Sequence, residues 1–323
     1  MDKIHLPLVS IVFTSYNHKT FLKQALDSLV NQTYLNLEII VVDDCSTDGS
    51  QEILLQYEKY ENVVLKLQTK NSGSYVNASN FGASFVKGAY ILFAQCDDFA
   101  ELNQIETLLN IAQNNPSVGV VFSKSNLVDE NGIVFANDFT GRERSFKNAI
   151  KNNGLIESAM MKEFLSFSCV IPNLSAALIK SELFKQVNGL SNTYFVLADW
   201  AFWLDLTEKT NFYYVEKPLN YFRQHGTTIR SSIKMTTQII EVYKMFYGHI
   251  ATYNLSSSQI KNIKIGAGAV WFSYFVENKK AWFKCFTTVL PKIRELENSA
   301  LYYLLLGTKK QLVEYFYNKT SKN

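Results

Sequence analysis

Residues 38–50, EIIVVDDCSTDGS, run from an apolar segment straight into two aspartates and then into small polar residues. Consecutive apolar positions fit a strand buried on both faces, as in a parallel sheet. Unpaired buried carboxylates are costly, so Asp43 and Asp44 belong at the strand's end. There they either cap the following turn and helix or face a ligand crevice. A second strand candidate, YILFAQCDD at 90–98, closes on Asp97 and Asp98 in the same way. Two acidic pairs at strand ends favour the crevice, because open parallel sheets bind ligands beyond the carboxyl ends of their strands. Hard oxygen donors of this kind suit a divalent cation, magnesium or manganese.

Working outward, LVSIVFTSY (8–16) and NVVLKLQ (62–68) read as further strands. Between the strands lie helical candidates: KTFLKQALDSLVNQ (19–32), SQEILLQYEKY (50–60) and VNASNFGASFVKGA (76–89). Ser46 or Asp48 is available to cap the second of these. The alternation predicts an open, mostly parallel α/β sheet with right-handed crossovers. Downstream, NQIETLLNIAQNN (103–115) is helical and VGVVFSKSNLVD (118–129) is a strand able to complete the sheet.

The chain has 323 residues, 47% of them hydrophobic, enough for a large core. A net charge of +3 gives no case for nucleic acid. Cys45, Cys96, Cys169 and Cys285 are widely spaced, without a CxxC pair, and read as reduced cytosolic thiols rather than a disulfide framework or a zinc site. The N-terminal apolar run is too short for a signal peptide, and no stretch reaches the ~20 apolar residues of a membrane span.

The ordered motifs resemble those of the family-2 glycosyltransferases, inverting enzymes of the GT-A fold that use nucleotide-sugar donors. SIVFTSYNHKTFLKQALDSLVNQTYLNLEIIVVDDCSTDGS (10–50) resembles their opening, and NSGSYVNASNFGASFVKGAYILFAQCDD (71–98) the segment leading into their metal-binding aspartates. LADWAFWLDL (197–206) resembles the base-bearing segment, and YFRQHGTTIR (221–230) a histidine motif after the last catalytic strand. The resemblance covers roughly residues 6–230. It implies a GT-A catalytic domain over 1–230, with a nucleotide-binding half at 1–98 and an acceptor half at 99–230. A helical C-terminal extension follows at 231–323.

Position by position, the resemblance places Thr14 and Tyr16 against the nucleoside base, where Tyr16 either stacks on a pyrimidine or is a core aromatic. Asp44 then accepts from the pyrimidine imide, and Asp43 braces the loop. Asp97 falls near the ribose and Asp98 on the metal. Two departures stand out. Gln95 replaces an aspartate that many relatives carry, and Ser79 replaces an arginine ahead of Asn80, which is assigned to the donor site. His225 is either a loop residue or a group at the diphosphate or metal, with Arg223 beside it suited to phosphate. Asp199, in ADW, is the expected general base, and it could also cap the helix beginning at Trp200.

The implied reaction is metal-assisted direct displacement. A hexosyl or N-acetylhexosaminyl group moves from a UDP-sugar, or a dTDP-sugar, to a hydroxyl of a glycan or lipid-linked glycan. An inactive binding module of the same fold is the alternative, motivated by Gln95 and Ser79. Residues 261–323 carry eleven Lys/Arg against four Asp/Glu. There Trp271, Tyr274, Phe275 and Trp282 share one helical face, which either packs on the catalytic domain or docks on an anionic membrane or a partner. The expected location is cytoplasmic, at most peripheral on the inner face of a membrane.

Overall fold

The computed structural model describes residues 6–142, 144–226 and 233–320. The expected domain boundary at 230/231 and the end of the YFRQHGTTIR motif lie outside the described residues.

The four N-terminal strands form as the apolar runs predict: β1 (Val9–Ser15), β2 (Leu37–Asp43), β3 (Val63–Leu67) and β4 (Tyr90–Gln95). They pair in parallel in the order β3-β2-β1-β4. Helices α1 (Lys19–Val30), α2 (Ser50–Leu55) and α3 (Tyr75–Ala83) cross between them. Asp48 does not cap α2 in the expected way. Gly49, at φ +88°, precedes that helix, while Asp48 accepts from Ser50 N at 3.0 Å and from Lys19 N at 2.9 Å. It thus ties the starts of α1 and α2 together.

The chain continues through a short strand β5 (Phe99–Ala100), α4 (Gln104–Asn114), the long β6 (Val118–Val128), β7 (Val134–Asn137), α5 (Arg144–Ala149), β8 (Gly154–Ile156) and α6 (Ser158–Leu165). It completes the sheet with β9 (Ala177–Lys180), α7 (Ser181–Gln186), α8 (Ala198–Leu206) and β10 (Asn211–Arg223). Strand β9 sits antiparallel between β4 and β6, and β10 runs parallel to β6. One sheet therefore runs through both expected halves, and the GT-A-like α/β architecture is present.

Four helices follow: α9 (Met235–Thr252), α10 (Ser257–Glu277), α11 (Lys279–Arg294) and α12 (Ala300–Thr320). Ser256 and Gln259 form a reciprocal capping box at the start of α10, and Asn278 caps α11. The aromatic face read from the sequence turns inward. Trp271 is fully buried, Tyr274 and Trp282 nearly so, and they share one apolar cluster with Phe122 and Trp203 of the sheet region. Membrane contact through 261–323 draws no support from this packing. Three glycines let backbones approach. A Cβ on Gly266 would overlap Ser166 O, one on Gly268 would overlap Tyr303 O, and one on Gly307 would overlap Ala269 N.

None of the four cysteines is joined in a disulfide. No helix among the described residues is long and apolar enough to cross a membrane.

Candidate active site

The carboxyl ends of β1, β2 and β4 lie side by side at one edge of the sheet, and the loops that follow β1 and β2 are stitched together. Asn17 N donates to Ser46 Oγ at 2.9 Å and Thr47 N to Asn17 Oδ1 at 2.8 Å. Asn17 and Cys45 both take positive φ, at 53° and 67°, a conformation that asparagine adopts readily and that is uncommon for cysteine.

The first acidic pair divides its work. Asp43 accepts from Ser46 N at 2.9 Å, Ser46 Oγ at 2.6 Å and Gln51 Nε2 at 2.8 Å, so it braces the loop. Asp44 accepts from Gln68 Nε2 and Ser72 N, each at 2.8 Å, on Oδ1 and from Ser72 Oγ at 2.9 Å on Oδ2. A carboxylate has about four acceptor sites, so one remains on Oδ2. Thr14 is buried near the end of β1, while Tyr16, just beyond it, is 45% exposed.

The second pair divides in an unexpected way. Asp98 is 3% exposed. Its Oδ1 accepts from Arg223 N at 3.0 Å, and its Oδ2 from Ser175 Oγ at 3.0 Å and from the Asn173 amide. Burial, and then the adjacent Asp97 charge, push its carboxyl well above the usual range. Asp98, expected on the metal, thus faces into the protein. Asp97, expected at the ribose, instead meets His225 Nε2 at 3.1 Å. His18 completes a cluster in which one ligand atom from each of His18, Asp97 and His225 lies within 4.8 Å of the others. His18 Nδ1 lies 2.9 Å from the Tyr16 carbonyl, which fixes the proton on Nδ1 and leaves the Nε2 lone pair for a ligand. The sequence reading missed His18; its only signal was a histidine between the first strand and the first helix.

Two other expected donor-site residues are spent inside the fold. Asn80 donates to Leu190 O at 2.8 Å and accepts from Leu190 N at 3.0 Å, clamping the loop after α7. Arg223 is 1% exposed. Its guanidinium donates to Asp97 O at 2.8 Å, Glu130 O at 2.8 Å and Gln24 Oε1 at 2.6 Å, over the Phe21 ring. It ties α1 to the loops after β4 and β6, with most of its donors taken by protein rather than left for phosphate.

Asp199 lies in the first turn of α8, half-buried, with Oδ1 accepting from Trp200 N at 2.7 Å. Tyr75, at the start of α3, connects it to the donor side. Burial, and then the charge of Asp199, push that phenol well up. Ser74 caps the same helix and follows the Ser72 loop that grips Asp44.

Residues 10–161 match the family described as Glycosyl transferase family 2. The match spans just under half of the chain. Glycosyltransferase GlyG of Streptococcus pneumoniae is 33% identical over 185 residues, 56% of this chain and 59% of that protein. The chain thus spans less than two thirds of that relative's length. Poly(ribitol-phosphate) beta-glucosyltransferase of Bacillus spizizenii is 44% identical over 112 residues, 34% of this chain and 18% of that protein. Among solved structures, S. aureus TarS in complex with UDP-GlcNAc superposes with a TM-score of 0.69 at 17% identity, covering 97% of this chain and 92% of that one. At that identity the likeness concerns the fold, and it extends over the C-terminal helices.

Proposed function

We propose that the chain is an inverting glycosyltransferase. In this reading it moves a hexosyl or N-acetylhexosaminyl group from a UDP-sugar, with dTDP-sugar as the alternative donor, to a hydroxyl of a glycan or lipid-linked glycan. The observation that carries the reading is the convergence on one edge of the exposed Tyr16 ring, the Asp44 carboxylate and the His18–Asp97–His225 cluster. The names of the relatives, a poly(ribitol-phosphate) glucosyltransferase among them, favour a polymeric glycan acceptor.

Each residue has a task. Tyr16 stacks on the base, and the remaining Oδ2 site of Asp44 takes the imide N–H. His18, Asp97 and His225 would hold a divalent cation. Two imidazoles and one carboxylate suit manganese better than magnesium, which prefers oxygen and water. When bound, that cation offsets the charge developing on the departing diphosphate. Asp199 accepts the proton of the acceptor hydroxyl as that oxygen bonds to the anomeric carbon and the diphosphate leaves from the opposite face. One displacement inverts the configuration.

The test is nucleotide binding by calorimetry and nucleotide release from UDP-glucose, UDP-GlcNAc, dTDP-glucose and GDP-mannose. UDP should bind best with manganese present and lose most of that affinity in excess EDTA. Tighter binding of GDP than of UDP and dTDP would overturn the donor assignment. Undiminished UDP affinity in EDTA would remove the metal from it.

A further inference from the structure

We propose that Glu241, on helix α9 of the C-terminal extension, is a positioning residue that sets the Asp199 carboxylate in place by holding the backbone leading into α8. The proposal rests on the reading of Asp199 as the general base.

Glu241 is 7% exposed, and no lysine or arginine is paired with it among the described residues. Its compensation comes from backbone. Oε1 accepts from Phe195 N at 2.9 Å, and Oε2 accepts from Val196 N at 2.9 Å and Leu197 N at 3.3 Å. Three successive N–H groups aimed at one carboxylate form an anion nest, and charge-assisted bonds of this kind are roughly twice as strong as neutral ones. The nest ends two residues before Asp199. The direction of the backbone at Leu197 sets the direction of the first turn of α8, and with it where Asp199 points.

The same helix holds α8 at two further places. The Phe246 and Trp200 rings meet edge to face at 5.6 Å. Near the far end, His249 lies 3.2 Å from both Asp205 and Glu208. Glu241, Phe246 and His249 occupy successive turns of α9, so one helix splints the entrance, the first turn and the last turn of the base-bearing helix. A cap needed only for stability could have come from the local sequence, as Ser74 does for α3. Here it comes from a helix that the donor-binding strands do not contain. Displacing a catalytic group by 1 Å costs about 10²-fold in rate.

The experiment uses the full chain with Glu241→Ala, Glu241→Gln and Asp199→Asn side by side. Donor affinity, transfer rate and amide hydrogen exchange at 195–197 are measured below the melting temperature of every variant. Glu241→Ala should lower kcat by about 10²-fold, speed exchange at 195–197 and leave UDP affinity unchanged. Glu241→Gln keeps the side-chain length and an acceptor oxygen, so it should recover most of the loss. Faster exchange with unchanged kcat would reduce Glu241 to a structural cap and overturn the proposal. Unchanged exchange would overturn the contact itself. If Asp199→Asn retains transfer, the base reading fails instead, whatever Glu241 does.

Discussion

Asp97 and Asp98 are neighbours in the chain and face opposite ways. Asp97→Ala should abolish metal-enhanced UDP binding with little change in melting temperature, since its carboxylate meets the crevice. Asp98→Ala should do the reverse. It leaves Arg223 N, Asn173 and Ser175 without their acceptor, at roughly 3 kcal/mol or more in sum. Calorimetry and thermal melts on the two variants separate the roles, and a metal-binding loss confined to Asp98→Ala would restore the original assignment. Asp199→Asn should keep fold and UDP affinity and lose about 10²–10⁴ in transfer. Transfer within a few-fold of wild type would place the base elsewhere. The two acidic pairs were legible in the sequence because strands rarely end so. Which member of the second pair turns inward was not, since both lie beyond the end of β4 at Gln95, where only packed partners settle which side chain is buried. Arg223 misled for a related reason: a guanidinium beside a histidine reads as a phosphate ligand until its donors are seen occupied by carbonyls.

Among the elements, β1–β4, β6 and the first helices were readable from apolar runs and helical spacing, and the aromatic face of the last helices was readable too. What that face packs against was not, because close approach depends on glycines whose partners are distant in sequence. Gly268 and Gly307 place α10 and α12 backbone against backbone. Exchanging Gly268 for alanine gains about 1 kcal/mol of helix propensity. It also drives a methyl into the Tyr303 carbonyl, and overpacking against backbone costs about 1–3 kcal/mol. The clash should win, so Gly268→Ala should lower the melting temperature by several degrees. A stabilised variant would mean that the two helices separate at no cost.

At the scale of the molecule, one apolar cluster reaches from Val12 in β1 to Leu304 in α12. The sequence divided the chain near residue 230 because the motifs stop there, yet motifs record chemistry and not where a core ends. A chain with such a core should unfold as one unit. Calorimetry should give a single transition for the full chain, and a version ending at residue 234 should melt broadly or aggregate. Two well-resolved transitions in the intact protein would contradict this.

Strand order sets a timetable during synthesis. Strand β6 is made early, but its parallel neighbour β10 begins about 80 residues later. At roughly 5–20 residues per second a ribosome takes about 4–16 s to cover that gap. Throughout it, one edge of an eleven-residue strand, apolar through its first half, lacks the partner it pairs with in the fold. Exposed edges of that length recruit other strands. The nascent chain is therefore most prone to aggregate in the window between Val128 and Asn211, and a chaperone that shields strand edges would act on this protein there.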